Sequence, residues 1–233
     1  MVQRAILGIV VTIALGFALA PVVSAEPASY AFGVDLNSKY YWRGFLRADD
    51  FSTQPYAQAS YMDFTAGVRA NKSVDYEEAD EVDLSLSYGT NLGSVGMTLG
   101  YTNYQFTGLE SSTLGSSTNE VFVRAELPLE AVSPTVAVYH DWDMAEGTYV
   151  AAGMDKSFPA GITTIALGAM VGYNSNYFLE DYSGFSHGAI RGSLTVPFGT
   201  GFALTSNVTL NQSFDSDIFE DQTVFGIGLG WGN

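Results

Sequence analysis

Apolar and small residues alternate strictly along the last ten residues of the chain, 224–233. Four large apolar side chains fall on one face of this segment: Phe225, Ile227, Leu229 and Trp231. Successive side chains of a strand point to opposite faces, so the alternation predicts a strand with one continuous apolar face. Such a face, ending in an aromatic residue, is typical of the closing strand of a transmembrane β-barrel, where one face meets lipid and the other the lumen.

The same alternation recurs along the whole chain and predicts twelve strands. They lie near residues 30–43, 54–61, 64–71, 81–90, 95–106, 119–127, 134–142, 148–157, 162–174, 185–196, 202–213 and 222–231. The sequence therefore predicts an all-β fold, an antiparallel up-and-down transmembrane β-barrel of about 12 strands.

The connections between these strands are of two kinds, which alternate. Short connections rich in Gly, Pro and Asn lie at 62–63, 91–94, 128–133, 158–161 and 197–201. Longer polar connections lie at 44–53, 72–80, 107–118, 175–184 and 214–221, with the brief 143–147 as an exception. Short periplasmic turns and long external loops are the outer-membrane arrangement, and an even strand number keeps both termini periplasmic.

A water-soluble β-sandwich is the alternative, since its strands also alternate. It gives no reason for the sorted connections or for aromatic residues near strand ends, where two interfacial girdles would place them. The girdle candidates are Tyr30, Phe32, Tyr40, Trp42, Tyr61, Phe64, Tyr101, Tyr173, Phe202 and Trp231.

The N-terminus has the three parts of a secretory signal peptide. Arg4 precedes an apolar stretch at 5–20, and Val23-Ser24-Ala25 is a small-residue cleavage site. We expect residues 1–25 to be a signal peptide, and residues 26–233 to form the barrel, beginning near Glu26. No later segment is apolar over the roughly 20 residues that a membrane helix needs.

Composition excludes several classes of function. The chain has 25 acidic and 9 basic residues, so nucleic acid is not an expected partner. It contains no Cys, which excludes a lipoprotein anchor, a disulfide framework, a Cys metal site and a thiol nucleophile. The sequence predicts neither a cofactor nor a metal site.

Acidic residues concentrate in the predicted outer loops. Fifteen lie there: Asp49, Asp50, Asp75, Glu77, Glu78, Asp80, Glu110, Asp143, Glu146, Glu180, Asp181, Asp215, Asp217, Glu220 and Asp221. A negative outer mouth can concentrate cations, repel anions or weakly hold divalent ions. The alternative is that these residues only keep the loops hydrophilic.

Charged residues within the strands fall in the inward phase. Exposing one to lipid at the midplane would cost about 2 to 4 kcal/mol. The predicted lumen-lining residues are Lys39, Arg43, Arg69, Glu81, Asp83, Glu120, Arg124, Glu126 and Arg191, with Asp35 in the same phase. They can form a water-filled constriction with a transverse field, or ion pairs that plug the barrel. A barrel of this strand count is larger than the barrels that are filled by their own side chains and smaller than the open porins. The strand count therefore favours neither possibility.

Two histidines are the candidates for acid–base chemistry. His140 lies in His140-Asp-Trp-Asp143, and Ser186 precedes His187. Residues adjacent on a strand point to opposite faces, so we expect Ser186 and Asp141 to point away from their neighbouring histidines, and we predict no enzyme. Asp141, Asp143 and Glu146, which precede Gly147, resemble part of a loop that binds a cation through oxygen ligands. An ordinary turn, in which Gly147 permits the chain reversal, is the favoured interpretation.

Two segments carry a family resemblance. Ser38-Lys-Tyr-Tyr-Trp-Arg-Gly44 followed by Gln54-Pro55, and Tyr139-His-Asp-Trp-Asp143 with Gly147-Thr-Tyr149, resemble the bacterial TorF-type putative porins. The resemblance implies an outer-membrane barrel with a channel role and supplies no catalytic residues. In this chain the end is Trp231-Gly-Asn233 rather than a terminal aromatic residue.

The sequence thus predicts a porin-like outer-membrane channel for passive diffusion of small hydrophilic solutes, cationic or neutral. A plugged barrel with a structural or surface-interaction role is the alternative, and an outer-membrane lipid-modifying enzyme is a remote one. The expected partners are outer-membrane lipid, lipopolysaccharide and small solutes or cations. The oligomeric state is left open.

Overall fold

Fourteen strands follow one another in the computed structural model, which describes residues 28–74, 80–106 and 117–233. They are β1 Ser29–Asn37, β2 Tyr40–Trp42, β3 Phe45–Ala48, β4 Ser52–Tyr61, β5 Phe64–Ser73, β6 Glu81–Leu92, β7 Val95–Phe106, β8 Ser117–Glu126, β9 Ser133–Asp141, β10 Gly147–Ala160, β11 Thr163–Ser175, β12 Ser183–Phe198, β13 Phe202–Ser213 and β14 Gln222–Gly232. The predicted signal peptide, 1–25, lies outside the described residues.

Twelve of these strands close into one antiparallel barrel, and the β2–β3 hairpin forms a separate two-stranded sheet. β1 pairs with β4 on one side and closes the barrel against β14 on the other. Closure leaves no free strand edge in the sheet. The predicted all-β, antiparallel up-and-down barrel of twelve strands is confirmed. Within the described ranges, no helix has the length and hydropathy needed to cross a membrane.

The first predicted strand, 30–43, is wrong in its second half. β1 ends at Asn37, and Ser38 exchanges its last hydrogen bonds with Phe225 of β14, at 2.8 and 3.0 Å. The chain then leaves the wall and folds back as the β2–β3 hairpin. Tyr40 and Trp42 continue the even-numbered phase of Phe32, Val34 and Leu36 after the break, so alternation could not reveal it. Tyr40 and Trp42, expected in a girdle, belong to this hairpin.

The two faces of the barrel wall differ as the sequence predicted. On β14 the side chains of Phe225, Ile227 and Leu229 are exposed on the outside. Inward positions carry polar residues, such as Thr205 and Asn207 of β13, which line an interior cavity. The exterior is therefore an apolar surface suited to hydrocarbon, while polar groups are enclosed in the lumen.

Connection lengths also follow the predicted division. One end of the barrel has short turns at 62–63, 93–94, 127–132, 161–162 and 199–201. The other end carries the hairpin and the described loops 142–146, 176–182 and 214–221. We call these the inner and the outer end.

Several interior rings lie over glycines of the wall. Phe122 covers Gly100, and Tyr149 covers Gly172, each at a separation that leaves no room for a Cβ. A ring seated in this way lies along the wall instead of standing across the lumen. The interior therefore carries aromatic surface while the lumen keeps its width.

A charge on the outer apolar face should destabilise the barrel far more than one in the lumen. Ile190 lies at the middle of β12 with its side chain exposed, and Ser193 of the same strand lines the interior. In lipid vesicles we expect Ile190→Lys to lower the free energy of unfolding by about 2 to 4 kcal/mol. Ser193→Lys is the matched control and should have a much smaller effect. Equal losses in urea titrations would contradict the assignment of faces.

Candidate functional site

The β2–β3 hairpin folds into the outer half of the barrel. Its two-residue turn is Arg43-Gly44, with φ values of +50° and +97°. Positive φ at both turn positions is the geometry that suits the twist of a hairpin, and glycine adopts it without strain. Gly44 is buried, and a Cβ there would lie 3.1 Å from His187 Nδ1 and from Phe219 Cδ1. The hairpin tip is therefore packed closely against the wall and an outer loop.

Arg43 forms a buried ion pair with Glu120 of β8. Two guanidinium nitrogens reach the two carboxylate oxygens, and the Nη2 to Oε1 bond is 3.0 Å. The side chains are only 11% and 1% exposed. Tyr177 Oη donates to Glu120 Oε2 at 2.5 Å, and Tyr104 Oη donates to Oε1 at 3.1 Å. Each carboxylate oxygen therefore has two donors, as a buried charge requires.

Four aromatic rings surround the Arg43 guanidinium. Its Cζ lies 3.9 Å from the ring centroid of Tyr139, 4.6 Å from Trp42, 5.1 Å from Tyr177 and 5.3 Å from Tyr149. The negative faces of such rings attract a cation. Burial, the largest single cause, would lower the pKa of Arg43, but the hydrogen bond to Glu120 and the electrostatic attraction of Tyr177, Tyr104 and Glu120 together outweigh it and raise that pKa above its ordinary value. The hairpin tip thus stays charged at physiological pH.

Outer loops cover the hairpin with further aromatic contacts. Trp42 packs against Phe178 with a centroid distance of 6.0 Å, and Phe45 packs against Phe219 at 5.3 Å. Tyr177 and Phe219 are almost fully buried. The hairpin and these loops together constrict the outer half of the lumen.

A cavity of about 870 Å³ lies beside the hairpin. Three acidic and three basic residues line it: Asp35, Asp83, Asp155, Lys39, Arg69 and Arg191. A second cavity, of about 360 Å³, shares Tyr41, Asp155 and Arg191 with the first. A third, of about 680 Å³, lies at the inner end and includes Arg124 and Glu126. The interior therefore combines a constricted outer half with polar cavities that extend to the inner end.

Half-exposed ion pairs line these cavities. Arg191 Nη2 lies 2.6 Å from Asp155 Oδ1, and Arg69 Nη2 lies 3.6 Å from Asp35 Oδ2. Arg124 pairs with Glu126 of its own strand at 3.1 Å. Their exposure distinguishes them from the buried pair of Arg43, because partly solvated pairs contribute little to stability.

The structure places the predicted lumen residues in three environments. Lys39, Arg69, Asp83 and Arg191 line the 870 Å³ cavity, and Arg124 and Glu126 line the inner one. Glu81 and Glu120 are instead buried beneath the hairpin, where Tyr40 Oη donates to Glu81 Oε1 at 2.9 Å.

Two of the predicted placements need correction. Lys39 and Arg43 are not on a barrel strand, because β1 ends before them, and Lys39 forms an ion pair with Asp49. In the described structure Arg69, Arg124 and Arg191 pair with Asp35, Glu126 and Asp155, and not with the buried Glu81 and Glu120. The strand register explains the pair of Arg191 and Asp155. Gly168 of β11 pairs with Asp155 of β10 on one side and with Arg191 of β12 on the other, and because it has no side chain the two charged groups meet above it.

Sequence reasoning did not select Asp155, Tyr56, Tyr139, Tyr149 or Tyr177 as lumen residues. The first four lie in the inward phase of their strands, so extending the period-two argument to every polar and aromatic residue would have found them. Tyr177 lies in an outer loop, for which alternation provides no signal.

The two histidines lie on opposite faces of the barrel wall. His140 faces outward, and its Nδ1 lies 3.0 Å from Thr148 Oγ1. Ser186 was expected on the face opposite His187, but a bulge in β12 brings its Oγ within 3.1 Å of His187 Nδ1. Both residues are buried, and among the described residues no carboxylate hydrogen-bonds to His187.

Asp141 has a turn-stabilising role. Its carboxylate accepts hydrogen bonds from Thr118 Oγ1 at 2.7 Å, Asp143 N at 2.9 Å and Ala145 N at 3.1 Å. The described parts of the chain contain no group of three or more His, Cys, Asp or Glu side chains placed to hold a metal ion.

Comparison with known proteins gives matches of fold. No protein-family model matches the chain, and no curated protein matches it. Among solved structures it is similar to the KdgM porin (TM-score 0.58, 10% identity, covering 87% of this chain and 98% of that one). It is also similar to the NanC porin (TM-score 0.59, 10% identity, covering 86% of this chain and 98% of that one). A third similar structure is an outer membrane channel from Pseudomonas putida F1 (TM-score 0.51, 11% identity, covering 92% of this chain and 97% of that one). The chain therefore has the fold of a porin-like transmembrane barrel.

Removing one partner of the buried pair should destabilise the protein strongly. Arg43→Ala leaves Glu120 charged and buried, and we expect a loss of about 3 to 5 kcal/mol in the free energy of unfolding. Arg124→Ala, in a half-exposed pair, is the matched control and should cost less than about 1 kcal/mol. Adding Glu120→Gln to Arg43→Ala should restore part of the loss. Similar losses in the two single variants would show that the Arg43 pair is not structural.

Proposed function

We propose that this protein is a porin-like channel of the bacterial outer membrane, for passive diffusion of small hydrophilic solutes. The observation that carries the proposal is the polar, ion-paired interior of a closed barrel whose exterior is apolar. Water-filled space lined by balanced charges admits hydrophilic solutes and excludes apolar ones. The residues proposed to line the path are the predicted set, with Arg69, Asp83 and Arg191 in the main cavity.

The proposed location and partners follow from the same surfaces. The apolar exterior fits outer-membrane lipid, and the acidic outer loops would face lipopolysaccharide, with divalent ions between them. Export through the signal peptide at 1–25 is part of this proposal, as is the absence of enzymatic activity.

We also retain the narrower resemblance to TorF-type putative porins as a proposal. In its support, residues of both resembling segments meet at one place. Arg43 of the first segment lies against Tyr139 and Tyr149 of the second. The resemblance thus involves a shared contact in space as well as two separate stretches of sequence.

The plugged barrel is the second candidate, and the inward hairpin favours it. The buried Arg43 pair and the aromatic contacts hold the hairpin across the outer half of the lumen. If the hairpin does not move, the barrel is closed to solutes and its role is structural. The two candidates differ in whether ions cross the intact protein.

Conductance in planar bilayers separates the candidates. β1 and β4 pair directly up to Asn37 and Ser52, so residues 39–50 can be replaced by a short Gly-Ser turn without opening the barrel. We expect small discrete conductance steps from the intact protein and larger steps from the hairpin-less variant. Conductance only without the hairpin would support the plug, and none from either protein would refute the channel.

The outer loops should make the channel prefer cations. Exposed acids such as Glu146, Glu180 and Asp217 surround the outer mouth, and their field weakens as the Debye length falls from about 10 Å at 0.1 M salt. Reversal potentials in a KCl gradient should show cation preference at low salt. Neutralising these three acids to amides should reduce it. Anion preference in the unaltered protein would refute the idea.

A further inference from the structure

Tyr56 forms an aromatic platform on the lumen wall. It lies on β4 and lines the 870 Å³ cavity. A Cβ on Gly33 or Gly230 would lie 2.7 or 2.8 Å from Tyr56 Oη, so the end of the ring rests over two glycines of β1 and β14. The residue is only partly buried. One face of the ring therefore lies toward the backbone, and the other is open to the cavity.

Charged groups continue from Tyr56 in one row across the wall. Tyr56 pairs in register with Arg69 of β5, and Arg69 pairs with Asp83 of β6. Adjacent strands are about 4.8 Å apart, so the three side chains stand next to one another in the lumen. Asp35 extends the row on the other side, 3.6 Å from Arg69. An aromatic face thus adjoins a planar donor and two carboxylates.

Asp35 keeps an acceptor available. Its side chain is 36% exposed and lines the cavity, and its ion-pair partner Arg69 is 3.6 Å away. A partly exposed carboxylate has lone pairs left for a hydroxyl that enters the cavity. Asn37 and Asn207, which also line the cavity, add amide donors and acceptors.

Acidic and basic residues line this cavity in equal number. Three acidic residues face three basic ones, although the whole chain carries a net charge of −16. Donors and acceptors are therefore interleaved, without an excess of either residue type inside the cavity. This distinguishes the cavity from the acidic outer mouth.

We infer that the cavity binds a neutral saccharide, with a sugar ring on Tyr56 and its hydroxyls on Arg69 and Asp35. A pyranose presents an apolar C–H face to an aromatic ring, and hydroxyls that both donate and accept around its edge. The volume of 870 Å³ falls within the range of about 300 to 1,000 Å³ that is usual for small-molecule sites. The inference deepens the proposed channel function and rests on it for the route of entry.

Binding should be measured in two independent ways. The first is calorimetric titration of the detergent-solubilised protein with maltotriose, and with trigalacturonate as its acidic counterpart. The second is interruption of single-channel current by maltotriose. We expect maltotriose to bind more tightly than trigalacturonate, with little dependence on salt. We expect Tyr56→Ala to weaken maltotriose binding at least about tenfold.

Three further variants separate the contribution of the aromatic ring from that of the acceptor and provide a control. Tyr56→Phe preserves the ring and should bind within about threefold of the unaltered protein, whereas Asp35→Asn removes a carboxylate acceptor and should weaken binding. Lys156→Ala removes a charge outside the three cavities and should leave binding unchanged. Conductance without maltotriose binding would refute the saccharide site and leave the channel intact. Calorimetric binding without conductance would refute the channel, and tighter binding of trigalacturonate would refute the neutral class.

Discussion

Hydrocarbon offers no hydrogen-bond partners, and the architecture of this protein depends on that constraint. Backbone groups are paired around a closed ring of strands, and charged side chains turn inward. Once enclosed, those charges must find partners within the lumen. The distribution of ion pairs is thus a consequence of the apolar exterior as much as of any solute that passes.

Two solutions to this requirement occur in one barrel. In the outer half, Arg43 and Glu120 are buried, and each Glu120 carboxylate oxygen accepts hydrogen bonds from Arg43 and from one tyrosine. Further in, Arg191 and Asp155 remain half-exposed and available to a solute. The first arrangement fixes a structural element, and the second leaves a polar surface in contact with water.

The fold was predictable from sequence because one rule governs it. Period-two alternation and the sorting of connections located all twelve wall strands, including those with few large apolar residues. The rule fails where local alternation continues after the chain has left the wall, as at Tyr40 and Trp42. Whether Arg43 faces a neighbouring strand or a distant carboxylate depends on contacts between residues 77 positions apart. No local pattern encodes such a contact, so the buried pair appears only in three dimensions.

Glycines beneath the interior rings have a consequence for how such a barrel can change. Tyr56, Phe122 and Tyr149 each occupy a notch left by a missing Cβ. If a notch is filled by alanine, the ring must swing away from the wall and narrow the bore at that level. Lumen width can therefore evolve in single substitutions, at constant strand number and without altering the lipid-facing surface. The width of the lumen is therefore set by the smallest residues of the wall.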